Sequence, residues 1–156
     1  MAGGTDTHNT ISGNIAGELR NAAISTGRCY PFSSEVKIEI EPGGKYVYPD
    51  AGLACPDRIL SKQLVGAITN PRVVVEVVSE SSFRYDWEQK RRDYFSLPSV
   101  QEYLLISQDE AVVTVLRRRG DLMRIDTYEG LAEAVLVEAL GVSIAMAEIY
   151  RFVELA

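Results

Sequence analysis

Glu76 lies in the run Arg72-Val73-Val74-Val75-Glu76-Val77-Val78-Ser79, where β-branched residues on both faces predict a central strand covered on each side. An ionised carboxylate buried among valines is tolerated only against a cation, a metal ion or strong hydrogen-bond donors. Three arrangements answer that anomaly: an ion pair with an arginine such as Arg72, a place at the strand's exposed end, or a divalent-metal site at the carboxyl end of the strand, where sites in open α/β sheets tend to lie. A second carboxylate, Asp50, follows Tyr48-Pro49 on a segment expected to pair beside the valine strand. Pro49 has no ladder donor, so it interrupts pairing and can aim Asp50 toward the same place. A Pro-Asp pair alone is more often a turn. It gains weight from Glu76, because magnesium takes hard oxygen ligands, usually one or two protein carboxylates, and keeps water on its other positions.

Asp86, Lys90 and Tyr94 follow i, i+4, i+8 spacing on a helix predicted over Tyr85 to Leu97 and stopped by Pro98, so they share one face. Read alone, Asp86 and Lys90 form a solvated ion pair of little worth. If the face packs against the end of the valine strand, Lys90 reaches the carboxylates, balances their charge and stabilises charge developing on a phosphate under attack.

The elements that must position these residues are legible as patterns. His8 to Thr26 reads as an amphipathic helix, with Ile11, Ile15, Leu19, Ala22 and Ala23 at helical spacing, Thr7 or Thr5 as its cap and Gly27 as its stop. Ser33 to Glu41 alternates as a strand, Pro42-Gly43-Gly44 turns the chain, and Tyr46 to Cys55 returns antiparallel with a break at Pro49. After the valine strand and its helix come strands at Glu102 to Ser107, Ala111 to Arg119 and Leu122 to Thr127, the last two joined through Gly120-Asp121. A short helix over Ala145 to Val153 closes the chain. The order predicts a mixed α/β fold with one central sheet flanked by helices and a late β-hairpin.

The chain has 156 residues, which is about one domain, read here as a single unit over 1–156. Hydrophobic residues at 46% with 24% charged describe a globular protein with a core. Sixteen Lys and Arg against 22 Asp and Glu give a net charge of −6, so a uniformly basic surface for polyanions is excluded and a nucleic acid would meet a local basic patch or a metal. Lys90-Arg91-Arg92 and Arg117-Arg118-Arg119 are the candidate patches, against a plainer reading as solvated faces. No secretory leader or membrane-length apolar run stands out, which reads as cytoplasmic with no membrane partner. Cys29 and Cys55 read as half-buried free thiols of a reducing compartment. His8, the sole histidine, reads as a structural or solvent-facing helix-start residue, and Trp87 as packing. Ser79, Ser81 and Ser82 read as a turn or helix cap and not as nucleophiles.

Taken together, these residues resemble the PD-(D/E)XK nuclease superfamily and, within it, the Uma-two type of restriction endonuclease. The resemblance spans nearly the whole chain. It rests on His8 leading an amphipathic helix, Tyr48-Pro49-Asp50, Asn70-Pro71 running into Val75-Glu76-Val77-Val78-Ser79, the Asp86, Lys90 and Tyr94 spacing, Glu102-Tyr103-Leu104-Leu105 and Glu148-Ile149-Tyr150. It implies a restriction-endonuclease-like core and metal-dependent phosphodiester cleavage, with Asp50 as the first acid of the motif and Glu76 as the second. The motif's lysine would fall two residues after the glutamate, where this chain has Val78; Lys90 resembles a displaced lysine supplied by the following helix. Related chains usually carry a further acidic segment before the histidine-led helix. Here seven residues precede His8, and Glu18, a conceivable substitute ligand, reads better as a surface helix residue.

The resulting expectation is a magnesium-dependent endodeoxyribonuclease, with manganese as a substitute. Asp50 and Glu76 would hold the ion with the Val77 carbonyl as third ligand, Lys90 would orient the attacking water or stabilise the pentavalent charge, and Asp86 and Tyr94 would position the lysine. DNA is the expected partner and a homodimer the expected assembly. The rival is a nuclease-shaped binding or assembly protein, weak or silent in catalysis, favoured by the acidic total, Val78 and the short start.

Overall fold

The computed structural model describes residues 5–155, and for Asp86 the backbone alone. Thr5 caps the first helix by accepting the His8 N–H at 3.1 Å, and α1 runs Asp6–Thr26 to Gly27, which takes the left-handed conformation at φ 66° that a helix stop needs. The buried face of α1 carries the predicted Ile11, Ile15, Leu19, Ala22 and Ala23.

The chain then forms β1 (Tyr30–Ser33), β2 (Ile38–Glu39), β3 (Tyr46–Val47), β4 (Ala51–Ala54) and β5 (Pro71–Val78). A continuous helical stretch follows as α2 (Glu80–Tyr85), a π-helical turn over Asp86–Lys90, and α3 (Arg91–Phe95). Next are β6 (Glu102–Ser107), β7 (Val112–Arg119), β8 (Leu122–Glu129), β9 (Ala134–Val137), β10 (Val142–Ala145) and α4 (Met146–Ile149). The main sheet has the order β1-β4-β5-β6-β7-β8, with β5 and β6 parallel and the other neighbours antiparallel. This is the mixed central sheet expected, with the late hairpin and short final helix in place.

Strand alternation divides the core into two layers. Val73, Val75 and Val77 face α1, α4 and the β9–β10 hairpin, whereas Val74 and Val78 face Tyr94, Tyr103, Leu105 and Leu116, with Trp87, Phe95 and Leu97 packed against them. Both faces of β5 are therefore covered, as the valine run predicts, and Trp87 is packing. Gly52 in β4 is required by contact: a Cβ there would lie 2.3 Å from the Val73 carbonyl oxygen and from the Phe32 ring.

Several expectations are corrected. Ser33 to Glu41 is not one strand: Ser33 ends β1, Glu35 takes φ 71°, and Ile38–Glu39 pairs with Tyr46–Val47 as a separate small hairpin. The strand beside β4 is instead β1, with Tyr30 opposite Ala54. That register carries Cys29 and Cys55 past the strand ends toward one another, and they form a disulfide with a Cα separation of 4.3 Å; the free-thiol reading is wrong. The second helix begins at Glu80, five residues before Tyr85, and Ser79 caps it by accepting the Ser82 N–H at 3.2 Å. The β9–β10 hairpin was not foreseen.

Candidate active site

Asp50 follows Pro49 at the point where β4 begins, and its main chain and side chain bracket Glu76 on the neighbouring strand. Its N–H donates to the Val75 carbonyl at 3.0 Å, and its Oδ2 accepts the Val77 N–H at 2.7 Å. The carboxylate thus takes a ladder position that the strand, interrupted at proline, does not fill. Asp50 is 6% exposed and Glu76 4%.

Glu76 meets the α2–α3 layer. Tyr94, wholly buried in α3, donates its hydroxyl to Glu76 Oε1 at 2.6 Å, and Lys90 Nζ approaches the same oxygen at 3.2 Å. The buried glutamate is thus balanced by a lysine and a tyrosine, and Arg72, whose side chain is exposed, is not the cation the alternative reading required. Burial, then the adjoining Glu76 charge, push the Tyr94 phenol well above its usual range, so it stays a neutral donor. Tyr94 and Lys90 meet through the carboxylate. The Asp86 side chain, expected to position the lysine, lies outside the described residues.

The other layer supplies a partner that sequence reasoning missed. His8, in the first turn of α1, places Nε2 3.3 Å from Asp50 Oδ2. Its hydrogen bond to Asp50, working against burial and helped by the Asp50 charge, raises the imidazole above its ordinary value. A signal was present: His8 stands three residues before Ile11 and so lies on the same helix face as Ile11, Ile15 and Leu19. A polar residue on a stripe that is otherwise buried marks where the stripe runs out over a polar site. Glu18, by contrast, acts electrostatically on Arg151 near the chain's end.

The chemistry of the donor set suits a small hard cation. Among the described residues no three His, Cys, Asp or Glu side chains gather into a metal-binding group. Two nearly buried carboxylates and a main-chain carbonyl remain. The Val77 N–H points to the β4 edge, where Asp50 takes it, and in an extended strand the carbonyl of the same residue points to that edge too. Each carboxylate already has partners in this chain, Asp50 Oδ2 the Val77 N–H and His8, and Glu76 Oε1 Tyr94 and Lys90, support of the kind that would orient a metal ligand.

The arginine run on β7 is not a phosphate patch. Arg117 is 2% exposed and pairs with Glu102 at 3.2 Å and Asp126 at 2.5 Å. Arg118 donates to the carbonyls of Val100, Phe95 and Leu97, and Arg119 binds Glu138 at 2.7 Å. These side chains tie β7 to its neighbours, so neither sequence reading holds for Arg117 and Arg118, while Arg119 stays exposed. Arg91 lies over the Trp87 ring at 5.6 Å, leaving Arg92 as the exposed member of the other run.

A six-stranded mixed sheet between helices, with two acids on adjoining strands at one end, is the restriction-endonuclease-like architecture. The crystal structure of a putative nuclease belonging to DUF820 from Anabaena variabilis superposes with a TM-score of 0.71 at 15% identity, over 94% of this chain and 81% of that one. The chain belongs to the Uma2 family, described as "Putative restriction endonuclease", whose model matches residues 1–147. An uncharacterized protein of Synechocystis, slr1290, is 30% identical over 97% of this chain and 78% of its own length. A second from the same organism, sll1609, is 32% identical over 69% of this chain, which spans 60% of that relative.

Proposed function

We propose that this chain is a magnesium-dependent endonuclease that hydrolyses phosphodiester bonds in DNA. The observation that carries the reading is the pairing of two nearly buried carboxylates, Asp50 and Glu76, with a lysine brought onto Glu76 from a helix. The family's description as a restriction endonuclease supports a nuclease and favours DNA as its substrate.

Magnesium, or manganese in its place, would be held by Asp50, Glu76 and the Val77 carbonyl, and would supply Lewis acidity at the scissile phosphate and a more acidic water. The rest is done by the chain's own groups. Lys90 offsets negative charge that grows on the phosphate oxygens during in-line displacement, and it does so from a partly buried position, where a charge is screened less than in open water. Tyr94 fixes the orientation of Glu76 through a neutral hydrogen bond. The Val77 N–H and His8 fix Asp50 from the strand and from α1. Arg84 and Arg92, exposed on the helical stretch that carries Lys90, would contact the nucleic-acid backbone.

Supercoiled plasmid incubated with magnesium should be nicked by the parent protein. Asp50→Asn and Lys90→Ala should each lower the rate by about 100-fold or more. If both variants cut as fast as the parent, these assignments fail. Val78 is 2% exposed within the apolar layer, so the motif's strand position offers no lysine at all; that observation favours a silent scaffold of the same fold. Calorimetry separates the two, since a scaffold takes up no magnesium that Glu76→Gln eliminates.

A further inference from the structure

The two edges of the main sheet are unlike. β1 is four residues long and includes Pro31, features that discourage another strand from adding to it. β8 at the opposite edge is eight residues long, contains neither proline nor lysine, and among the described residues pairs on one side only, with β7. Along it Leu122 is 76% exposed, Met123 36% and Ile125 52%. A long, regular edge carrying apolar side chains is a template for strand addition.

We propose that β8 pairs antiparallel with β8 of a second copy of this chain, about a two-fold axis through Ile125 and perpendicular to the sheet. The charges on the strand select both the occupant and the register. A two-fold of this kind keeps each sheet face continuous, so it must pass through a residue of the strand, and that residue meets itself. Centring on Arg124 sets two guanidiniums against each other, and centring on Asp126 sets two carboxylates against each other. Centring on Ile125 places Arg124 opposite the partner subunit's Asp126, and Asp126 opposite the partner subunit's Arg124. It also sets Met123 opposite the partner's Thr127 and Leu122 opposite the partner's Tyr128, apolar and polar-apolar pairs that suit a sheet face. Arg124 now reaches Asp126 of its own strand at 3.0 Å with its side chain 63% exposed, so it is free to extend to a facing carboxylate without leaving a buried partner.

The axis turns the partner's strands end for end. The two candidate sites, each beside β5 in its own subunit, then point toward opposite ends of the joined sheet, and neither contributes a residue to the other. Pairing is therefore an assembly property, independent of the proposed nuclease chemistry, and dissociation leaves activity per subunit unchanged. An interface built on one strand edge falls below the roughly 800 Å² per partner of a standard complex, so the pairing belongs with the weaker, concentration-dependent associations.

Sedimentation velocity across the micromolar range tests this directly. The parent protein should shift from monomer to dimer with concentration, and Ile125→Lys, which sets two ammoniums face to face, should raise the midpoint at least about ten-fold. Register is read by oxidative cross-linking. Ile125→Cys should give a covalent dimer on a non-reducing denaturing gel, because self-opposed residues lie about 5 Å apart between Cα atoms. Thr127→Cys should not, because its own copy is displaced by four residues, about 13 Å along the strand. Ile125 and Thr127 are exposed, and circular dichroism confirms that the variants are folded. A parent that stays monomeric throughout overturns the proposal, as does a dimer indifferent to Ile125→Lys. So does cross-linking through Thr127→Cys without cross-linking through Ile125→Cys.

Discussion

Replacing Lys90 with methionine keeps an unbranched stem of similar length and removes only the ammonium 3.2 Å from Glu76 Oε1. Breaking a fully buried ion pair by deleting one partner costs about 3–5 kcal/mol. Here the Glu76 side chain is 5% exposed and that of Lys90 22%, so water still reaches the pair and Tyr94 still donates to the carboxylate; a cost of about 1–3 kcal/mol follows. For a chain of this length each kcal/mol lowers the melting temperature by about 2–4 °C, so Lys90→Met in chelator should melt roughly 2–12 °C below the parent. Magnesium should then return more stability to the variant than to the parent, because Glu76 no longer has an ammonium competing for its oxygens. At a concentration about 100 times the dissociation constant that return is about 2.7 kcal/mol. Plasmid nicking should fall about 100- to 1,000-fold despite the recovered stability. The assay is thermal unfolding with and without magnesium, run beside a nicking assay on the same preparation. Equal melting of variant and parent in chelator would refute the dependence of Glu76 on the ammonium, and undiminished nicking would remove Lys90 from the chemistry.

Two further outcomes are expected. The His8 imidazole is raised by its bond to Asp50, so its share of stability is complete below the unfolded value near 6.5 and is lost as pH climbs through the higher folded value. As the sole histidine it gives one unambiguous NMR titration; a midpoint at or below about 6.5, or a stability profile that His8→Gln leaves unaltered above it, would contradict the geometry. Opening the Cys29–Cys55 disulfide by a double serine substitution frees a span of 26 residues and should cost about 3.5 kcal/mol, or roughly 7–14 °C in melting temperature. Unchanged melting under strong reductant would show that the bridge does not constrain the chain.

The sequence made the centre of the fold readable and its margins less so. β5 announced itself because a strand covered on both faces must be apolar at every position, and Glu76 stood out against that background. β7 and β8 were readable from Gly120-Asp121, where Gly120 takes φ 60° in the turn. The segment Ser33 to Glu41 misled because its alternation resembles a strand. In the structure Glu39 points inward instead, bonded to Ser61 and the Gly43 N–H, a tertiary contact no local pattern reveals. With β1 mislocated, nothing placed Cys29 beside Cys55. The β9–β10 hairpin carried an apolar alternation at Val135 and Val137 with Gly141 as its turn residue, but Ala, Leu and Glu around it have helical preference and obscured the signal. At the site, type and spacing single out Asp50, Glu76, Lys90 and Tyr94; in the structure Lys90 and Tyr94 meet at Glu76, and Asp50 accepts the Val77 N–H of the same strand. His8 is harder to read, because a lone polar residue at a helix start has no local partner in the sequence and only its place on the face of Ile11, Ile15 and Leu19 points inward.

The wide turn at Asp86–Lys90 ends on the lysine. A helix held by its own internal hydrogen bonds can carry a charged residue to a carboxylate without spending a sheet position on it, and π turns of this sort are an insertion of one residue into an ordinary helix. Val78 is thereby released to fill the apolar layer, and the two duties that the motif's strand normally combines, sealing the interior and presenting a cation, fall to separate pieces of chain. Sideways movement of the helix would withdraw the charge while every rung between β5 and its neighbours stayed made. Removing one residue from that turn would rotate whatever follows by about 100° and swing Tyr94 off the glutamate, so the length of a single helical turn governs whether the acids keep their counterweight.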